Sequence, residues 1–326
     1  MGVEPSGVCH ADPRPEFGEG EGSGGVVEFP EDRNVTLVGQ GSERPVETVG
    51  WHTVPSAASV GDGGPDGSRT ELLLDSEREA TRMDTLVVGA GEMGRWIART
   101  VDRPVAVADV DPAVAEDVAG SLDGVRAVPV DTDEAFDIVC LAVPISVVDE
   151  AVERYAPNAD RAMCDVSGVM TGPVEAMRAA LPDRERISLH PLFAATNAPG
   201  NVAVVSDAPG PATDALRADL RAADNHLFET TAAEHDTAME TVQAAAHTAV
   251  LAYALAAADV RAEFATPVSA TLDDLVATVT DGTPRVYREI QATFAGAERV
   301  ADAARRVADA EGDAFDDLYR EAGNDG

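Results

Sequence analysis

The sequence predicts an α/β protein in which a doubly wound parallel sheet is followed by an all-helical domain. From Met83 onward, short continuous apolar segments alternate with helical segments, which is the pattern of a parallel sheet covered on both faces. After about residue 230 the apolar segments stop and helical patterns alone continue. The chain has 326 residues, which is long enough for two such domains.

Eight short apolar segments predict the strands, at residues 86–88, 105–108, 125–130, 138–143, 162–166, 187–190, 202–205 and 227–229. Helical patterns separate most of them, at 93–100, 112–121, 147–155, 173–181 and 212–223. We therefore assign residues 83–230 to the sheet domain. We expect its strands to be parallel, because parallel strands need long, usually helical connections.

The helical domain is predicted to cover residues 231–326. Thr231 and Glu234 have the spacing of a capping box, which opens a long alanine-rich helix from Glu234 to about Ala262. Further helices are predicted at 272–280, 284–294 and 297–310, followed by a short acidic helix and tail at 313–326. The alanine content suits close contact between helices, so we expect a homodimer formed through this domain.

Residues 1–82 differ from the rest of the chain in composition. They hold 14 of the 28 glycines and carry a net charge of -10. Such a segment cannot bury enough apolar surface to offset the entropy of ordering it. It is therefore either a disordered, solvated tail or a spurious extension, with translation beginning at Met83. We favour the second, because Met83 directly precedes the first convincing strand, and the intact mass of the native protein distinguishes the two.

All 24 basic residues are arginine, and the net charge is -35. The absence of lysine excludes Schiff-base and pyridoxal chemistry, P-loop phosphate binding and protein kinase activity. The negative charge argues against nucleic acid as a partner. Acidic, lysine-free, aromatic-poor chains resemble proteins of extreme halophiles, where molar salt shortens the Debye length to about 3 Å. An acidic disordered protein is the alternative, but 44% hydrophobic residues are enough for a core.

The cysteines and the apolar runs favour a cytoplasmic protein. Cys9, Cys140 and Cys164 are odd in number and lack metal-ligand spacing, so we expect neither a disulfide framework nor a metal site. No apolar run reaches the roughly 18 residues that a membrane span needs. The first residues lack the basic and apolar regions of a signal peptide.

A glycine-rich pattern, G-x-G-x-x-G, occurs at Gly89-Ala90-Gly91-Glu92-Met93-Gly94. It follows a predicted strand, opens a helix and has Asp109 twenty positions after its first glycine, which in a Rossmann-type sheet is a strong signal for dinucleotide binding. The helix N-terminus presents free N–H groups to the pyrophosphate. A carboxylate at Asp109 would bind the ribose hydroxyls and repel a 2′-phosphate, so we expect NAD rather than NADP. Val143 and Pro144, which end the fourth strand, are expected to line the nicotinamide.

Histidines supply the candidate for acid–base chemistry. His190 ends a predicted strand, and ligands in open α/β sheets bind at that edge. A dehydrogenase acting on a C–OH needs a group that takes the hydroxyl proton, and histidine suits this role. Asp236, Gln243 and His247 would fall within about 40° of one another on an ideal α-helix. They predict a polar stripe facing a cleft, with His235 on a neighbouring face.

Together these motifs resemble the prephenate dehydrogenase family, over roughly residues 84–295. Besides the glycine pattern, the resemblance rests on the segments 165–169 with 173–177, 188–193, 234–236 with Gln243 and His247, and Pro284 with 287–290. It implies NAD-dependent oxidative decarboxylation of prephenate to 4-hydroxyphenylpyruvate in tyrosine biosynthesis, with arogenate as the other possible substrate. It also implies that His190 accepts the proton of the C4 hydroxyl. His235, Gln243 and His247 would line the substrate cleft.

Three positions depart from the family pattern. Gly168 stands where the family has a serine that assists the histidine, and we expect Ser167 to substitute for it. Met170 replaces a lysine, and Thr278 replaces a substrate-binding arginine. A dianionic substrate still needs cations, and the candidates are Arg285, Arg288 and Arg261.

These departures leave two alternatives open. One is a regulatory protein that binds NAD through the same fold and has lost catalysis. The other is a reductase of related architecture, such as a pyrroline-carboxylate reductase, which would not need His190.

Overall fold

The computed structural model describes residues 83–324, so the segment 1–82 lies outside the described residues. Eight strands form one sheet in the order β3-β2-β1-β4-β5-β6-β7-β8. The strands are β1 Thr85–Val88, β2 Val105–Ala108, β3 Val125–Ala127, β4 Phe136–Leu141, β5 Ala159–Asp165, β6 Glu185–Pro191, β7 Asn201–Ala208 and β8 His226–Glu229. The order reverses between β1 and β4, which is where ligands bind in doubly wound sheets.

Five helices cover the two faces of the sheet: α1 Glu92–Thr100, α2 Pro112–Ser121, α3 Val148–Tyr155, α4 Thr171–Ala180 and α5 Pro211–Ala222. Side chains of α1, α2 and α5 pack in one apolar core, which includes Trp96, Val118 and Leu216. Those of α3 and α4 pack in the other, which includes Val152 and Met177. Because each face has its own core, the strands are apolar on both sides and read as continuous apolar runs.

The sheet is parallel except at one strand, which corrects the prediction. β7 pairs antiparallel with β6, whereas the other neighbouring strands are parallel. The connection from Pro191 to Asn201 contains only a short 3₁₀ turn, Ala195–Asn197. A connection this short cannot carry the chain back across the sheet for a parallel pairing.

Local chemistry explains where several helices begin. Asp111 caps α2, with its carboxylate accepting a hydrogen bond from the N–H of Ala113 (3.0 Å) and Pro112 at the first helical position. Thr231 caps the next helix, and its hydroxyl accepts from the N–H of Glu234 (3.2 Å). Thr266 and Ser269 form a capping box, so the helix predicted to begin near residue 272 begins at Pro267.

The long helix predicted from Glu234 to about Ala262 is present but ends earlier, because helical residues run without a break from Ala232 to Ala256. The helices of this part of the chain are α6 Ala232–Met239, α7 Ala246–Ala256, α8 Pro267–Thr280, α9 Pro284–Thr293, α10 Ala297–Asp309 and α11 Asp313–Asn324. A π-helical segment, Glu240–Ala245, joins α6 to α7. Alanine favours a helix intrinsically, but packing decides how far a helix extends. The side chains of residues 257–266 are all exposed, so no packing stabilises a continuation of α7.

Candidate active site

The first half of the site is the glycine-rich loop between β1 and α1. Gly89 has φ of +94°, and a Cβ there would lie 2.4 Å from the carbonyl oxygen of Ala142 in the segment after β4. A Cβ on Gly94 would lie 1.7 Å from the carbonyl oxygen of Gly89. Both positions therefore exclude any side chain. A Cβ on Gly91, by contrast, would meet nothing within 4 Å, so the N-terminus of α1 is open to a ligand.

Asp109 holds this loop in place. Its Oδ2 accepts a hydrogen bond from the N–H of Ala90 (2.7 Å), and its Oδ1 accepts one from the N–H of Asp111 (2.9 Å). The carboxylate thus ties the end of β2 to the loop after β1. It is only half-buried, so its remaining acceptor positions face outward.

A cavity of about 380 Å³ borders the loop, lined by residues 90–92, by Arg95 and Arg99 of α1, and by Thr196. Glu92 is exposed at the first position of α1, and Met93 packs partly against the core. The open N–H groups at the start of α1 suit a phosphate, and Arg99 places a further guanidinium beside the cavity, whereas Arg95 is paired with Asp117 (2.6 Å).

The segment after β4 brings the helical part of the chain to the sheet. Val143 and Pro144 are half-buried there, next to the loop. Glu289 of α9 accepts hydrogen bonds from the N–H of Ile145 (3.0 Å) and from the hydroxyl of Ser146 (3.1 Å). Glu289 therefore caps the turn that follows the predicted nicotinamide-lining residues.

His190 is the second half of the site and lies near the carboxyl end of β6, 7% exposed. Its Nδ1 is 2.8 Å from Nε2 of His235, and its Nε2 is 3.4 Å from the amide nitrogen of Gln243. Burial, followed by the neighbouring imidazole of His235, lowers the pKa of His190 to about 3. The imidazole is therefore neutral at physiological pH and able to accept a proton.

Asp236 stands behind the two histidines. Its Oδ1 lies 2.8 Å from Nδ1 of His235, whose side chain is 1% exposed. The same carboxylate accepts hydrogen bonds from the N–H groups of Met170 (3.1 Å) and Thr171 (3.0 Å) at the start of α4. Burial opposes ionisation of Asp236, but the hydrogen bonds outweigh it and lower its pKa.

Gly168 leaves open space beside Nε2 of His190. It has φ of +90°, and a Cβ there would be 3.3 Å from Nε2 of His190. The hydroxyl of Ser167 turns elsewhere, lying 3.4 Å from both Oδ1 of Asp165 and the carbonyl oxygen of Val169. The structure thus does not bring Ser167 to His190, because the left-handed turn at Gly168 separates the two residues.

Asp165 is a buried carboxyl beneath this turn. It lies 2.8 Å from the hydroxyl of Ser188, which precedes His190 by two positions on the same face of β6. Desolvation raises its pKa well above the usual value. Among the described residues, no group of three or more histidine, cysteine or acidic side chains is placed to hold a metal ion.

The remaining predicted substrate residues lie farther along the helical part. The ring of His247 packs edge-on against Tyr287 at a centroid distance of 4.8 Å, and its buried Nδ1 has no hydrogen-bond partner among the described residues. Burial lowers the pKa of His247. Arg285 and Arg288 are exposed on α9 and make no ion pair with described residues. Asp236 and Gln243 both contact the sheet part, through the start of α4 and through His190.

Two features of the site were not predictable from the sequence. Glu289 lies in the segment 287–290, on which the family resemblance partly rests, but its hydrogen bonds were not predictable, because they join residues 144 and 143 positions apart. The π-helical segment that contains Gln243 gave no signal either, although π-turns are frequent at functional sites. Gly168, one of the three departures from the family pattern, lies next to His190, which explains why that departure matters.

A glycine loop at the reversal of a doubly wound sheet, with a buried neutral imidazole at the same edge, defines a nucleotide-dependent dehydrogenase of the Rossmann type. The family model for the nucleotide-binding domain of prephenate dehydrogenase matches residues 99–207. Over 246 residues the chain is 33% identical to a 4-amino-4-deoxyprephenate dehydrogenase of Streptomyces pristinaespiralis, covering 68% of this chain and 80% of the relative. The chain belongs to the prephenate dehydrogenase family.

Solved structures share the fold. Prephenate dehydrogenase from Aquifex aeolicus, in complex with hydroxyphenyl propionate and NAD⁺, matches with a TM-score of 0.56 at 15% identity, covering 74% of this chain and 93% of that one. Arogenate dehydrogenase from Synechocystis matches with a TM-score of 0.50 at 16% identity, covering 74% and 98%. The predicted fold class is thereby confirmed. No helix among residues 83–324 is long and apolar enough to span a membrane.

Proposed function

We propose that this protein catalyses the NAD-dependent oxidative decarboxylation of prephenate to 4-hydroxyphenylpyruvate. The observation that carries the proposal is the position of His190. Its Nε2 lies beside a glycine, at the sheet edge that holds the dinucleotide loop. A base at this position suits a substrate that loses a hydroxyl proton while a hydride leaves the same carbon.

Each group of the site has a task in this reaction. His190 accepts the proton of the C4 hydroxyl at Nε2, and the missing side chain at Gly168 lets the hydroxyl approach that nitrogen. Gln243, whose amide is 3.4 Å from Nε2, orients the hydroxyl. When bound, NAD supplies the hydride acceptor. Loss of the ring carboxylate as carbon dioxide makes the ring aromatic, so the protein mainly positions groups rather than driving the reaction.

The described residues fit a bound dinucleotide. Gly91 and the exposed start of α1 offer N–H groups to the pyrophosphate, while Arg95 and Arg99 line the cavity next to them. Asp109 presents a carboxylate where the adenosine ribose lies in such sheets, which favours NAD over NADP. Val143 and Pro144 lie at the end of β4, next to the glycine loop, and line the nicotinamide.

The helical part supplies the substrate contacts. His247 has an unpartnered buried Nδ1, and Arg285 and Arg288 are cations without ion-pair partners among the described residues. We infer that they bind the two carboxylates of prephenate. His235, which the resemblance would place in the substrate cleft, contacts His190 and Asp236.

The experiment that tests the proposal is an absorbance assay for reduced nicotinamide. The purified protein is mixed in molar KCl with NAD or NADP, and with prephenate or arogenate. High salt belongs in the assay because the net charge of -35 resembles that of proteins adapted to molar salt. Turnover with prephenate and NAD supports the proposal. Cofactor binding without turnover on any substrate would overturn it and favour a regulatory protein.

Two further substrates have specific support. The relative at 33% identity is named for 4-amino-4-deoxyprephenate, which carries an amine at C4 instead of a hydroxyl. Arogenate is the substrate named for the Synechocystis structure. A kcat/KM higher for either than for prephenate, measured in the same assay, would reassign the substrate while leaving the role of His190 in place.

We also propose that two copies pair through the helical part. None of the side chains of α7 is buried, although the helix is almost entirely apolar, and Leu255 is 89% exposed. Val260, Phe264 and Val268 follow it and are exposed too. Such a surface is typical of an interface between subunits. Light scattering on Leu255→Asp should give a monomer, whereas Val110→Asp, also at an exposed apolar position, should stay dimeric. A monomeric wild type would contradict this.

A further inference from the structure

We propose that Asp236 and His235 are positioning residues that fix the tautomer of His190 and stabilise the positive charge that forms on it during the reaction. The inference rests on the proposed function for the chemistry of His190. It stands on three consecutive contacts: His190 Nδ1 to His235 Nε2, His235 Nδ1 to Asp236 Oδ1, and Asp236 to the start of α4.

These hydrogen bonds determine which ring nitrogen of His235 and of His190 carries a proton. The Asp236 carboxylate can only accept, so Nδ1 of His235 carries the proton that lies between them. A neutral His235 then has a bare Nε2, which accepts from Nδ1–H of His190 across 2.8 Å. His190 is therefore left with a bare Nε2, which is the nitrogen beside Gly168. The Gln243 amide, 3.4 Å away, can donate to it, as this tautomer requires.

The charge of Asp236 is held in place by the sheet part of the chain. Its two oxygens accept from the N–H groups of Met170 and Thr171, where α4 begins. An anion at a helix N-terminus is stabilised by the helix dipole. The carboxylate thus stays ionised next to His235 and favours a positive charge on the histidine pair during the reaction.

The same contacts stabilise the charge that the reaction places on His190. The substrate O–H and C4–H bonds break together: the C4–H electron pair leaves as hydride, for which bound NAD would be the acceptor, the O–H pair becomes the second bond of the carbonyl, and the proton bonds to Nε2 of His190. The hydrogen bond to His235 stabilises the positive charge on His190, and the Asp236 carboxylate beyond it stays ionised. Loss of the ring carboxylate as carbon dioxide leaves a phenolate oxygen, which takes the proton back from Nε2 of His190, so both histidines return to their starting tautomers.

The first experiment reads the tautomer without substrate. Long-range ¹H–¹⁵N correlation spectra of ¹⁵N-histidine-labelled protein in molar KCl separate protonated from bare ring nitrogens. The wild type should show His190 protonated on Nδ1. His235→Phe should move that proton to Nε2, and His235→Gln, whose amide oxygen can accept, should keep it on Nδ1. A wild-type His190 protonated on Nε2, or a tautomer that His235→Phe leaves unchanged, would overturn the proposal.

Kinetics then separate positioning from folding. His235→Phe should lose roughly 10²–10⁴-fold in kcat, with NAD affinity unchanged. His235→Gln should recover part of that loss, because its amide oxygen restores the tautomer but does not link His190 to the charge of Asp236. Equal losses in both variants, despite the expected spectra, would refute the tautomer as the cause. If no substrate turns over, the proposed function fails while the spectra still decide the tautomer.

Discussion

The space at Gly168 provides the sharpest structural prediction. Replacing Gly168 with alanine adds a Cβ 3.3 Å from Nε2 of His190, at a backbone φ of +90°. The ring cannot move freely away, because its other nitrogen is held 2.8 Å from His235. The methyl group therefore occupies the approach to the nitrogen that we propose takes the substrate proton.

Two magnitudes follow. A non-glycine residue at this φ costs about 1–3 kcal/mol of stability, or roughly 2–4 °C in Tm for each kcal/mol in a chain of this size. Blocking a general base costs roughly 10²–10⁴-fold in rate. The matched control is Gly124→Ala, where φ is +76° and nothing lies within 4 Å of the new Cβ.

Calorimetry and the nicotinamide absorbance assay measure the two effects separately. Both variants should lose similar stability, because both store the same kind of backbone strain. Gly168→Ala alone should lose most of its kcat, with NAD affinity unchanged. If Gly168→Ala instead turns over substrate as fast as Gly124→Ala, Nε2 of His190 is not the nitrogen that takes the substrate proton.

Further variants test other parts of the structure. Gly94→Ala should abolish cofactor binding, measured by fluorescence titration, because its Cβ would lie 1.7 Å from a carbonyl oxygen; retained binding would contradict the loop geometry. Glu289→Ala should cost about 0.5–2 kcal/mol in denaturant unfolding, as loss of a helix cap does. The Tm of the wild type should fall as the pH rises, because the raised pKa of Asp165 means that the folded state holds a proton and loses it as the pH passes that pKa. In Asp165→Asn this fall should be smaller. Asp207→Asn should lower Tm at neutral pH and much less near pH 3. Hydrogen bonds from Arg178 and Arg186 outweigh burial and lower the pKa of Asp207, and this stabilisation is lost as the pH falls. If Asp165→Asn and Asp207→Asn changed the dependence of Tm on pH in the same direction, these two predictions would be contradicted.

The sheet was predictable because its signals are local. Each strand is a short apolar run, and the glycine loop combines strand, turn and helix within a few residues, so β1, α1 and Asp109 follow from the sequence. The direction of β7 was not predictable in the same way. It depends on the nine residues between Pro191 and Asn201, which lack a helix, and the apolar pattern of β7 alone does not distinguish parallel from antiparallel pairing.

The candidate site was predictable residue by residue but not as a contact network. His190, His235 and Gln243 stand out as scarce residue types, yet the contact between the two histidines joins positions 45 apart in the chain. Asp236, Gln243 and His247 form one stripe only if every residue between them turns the helix by 100°. The π-helical segment between them breaks that period, and packing against the sheet decides where each side chain points.

One measurement tests most directly whether His190 is the base of an NAD-dependent oxidation of prephenate. A single-turnover experiment in molar KCl follows the absorbance of reduced nicotinamide after wild type or His190→Asn is mixed with prephenate and NAD. If His190 is the base, we expect a roughly 10²–10⁴-fold slower rise for His190→Asn at unchanged NAD affinity. An equal rate in the two proteins would contradict this role.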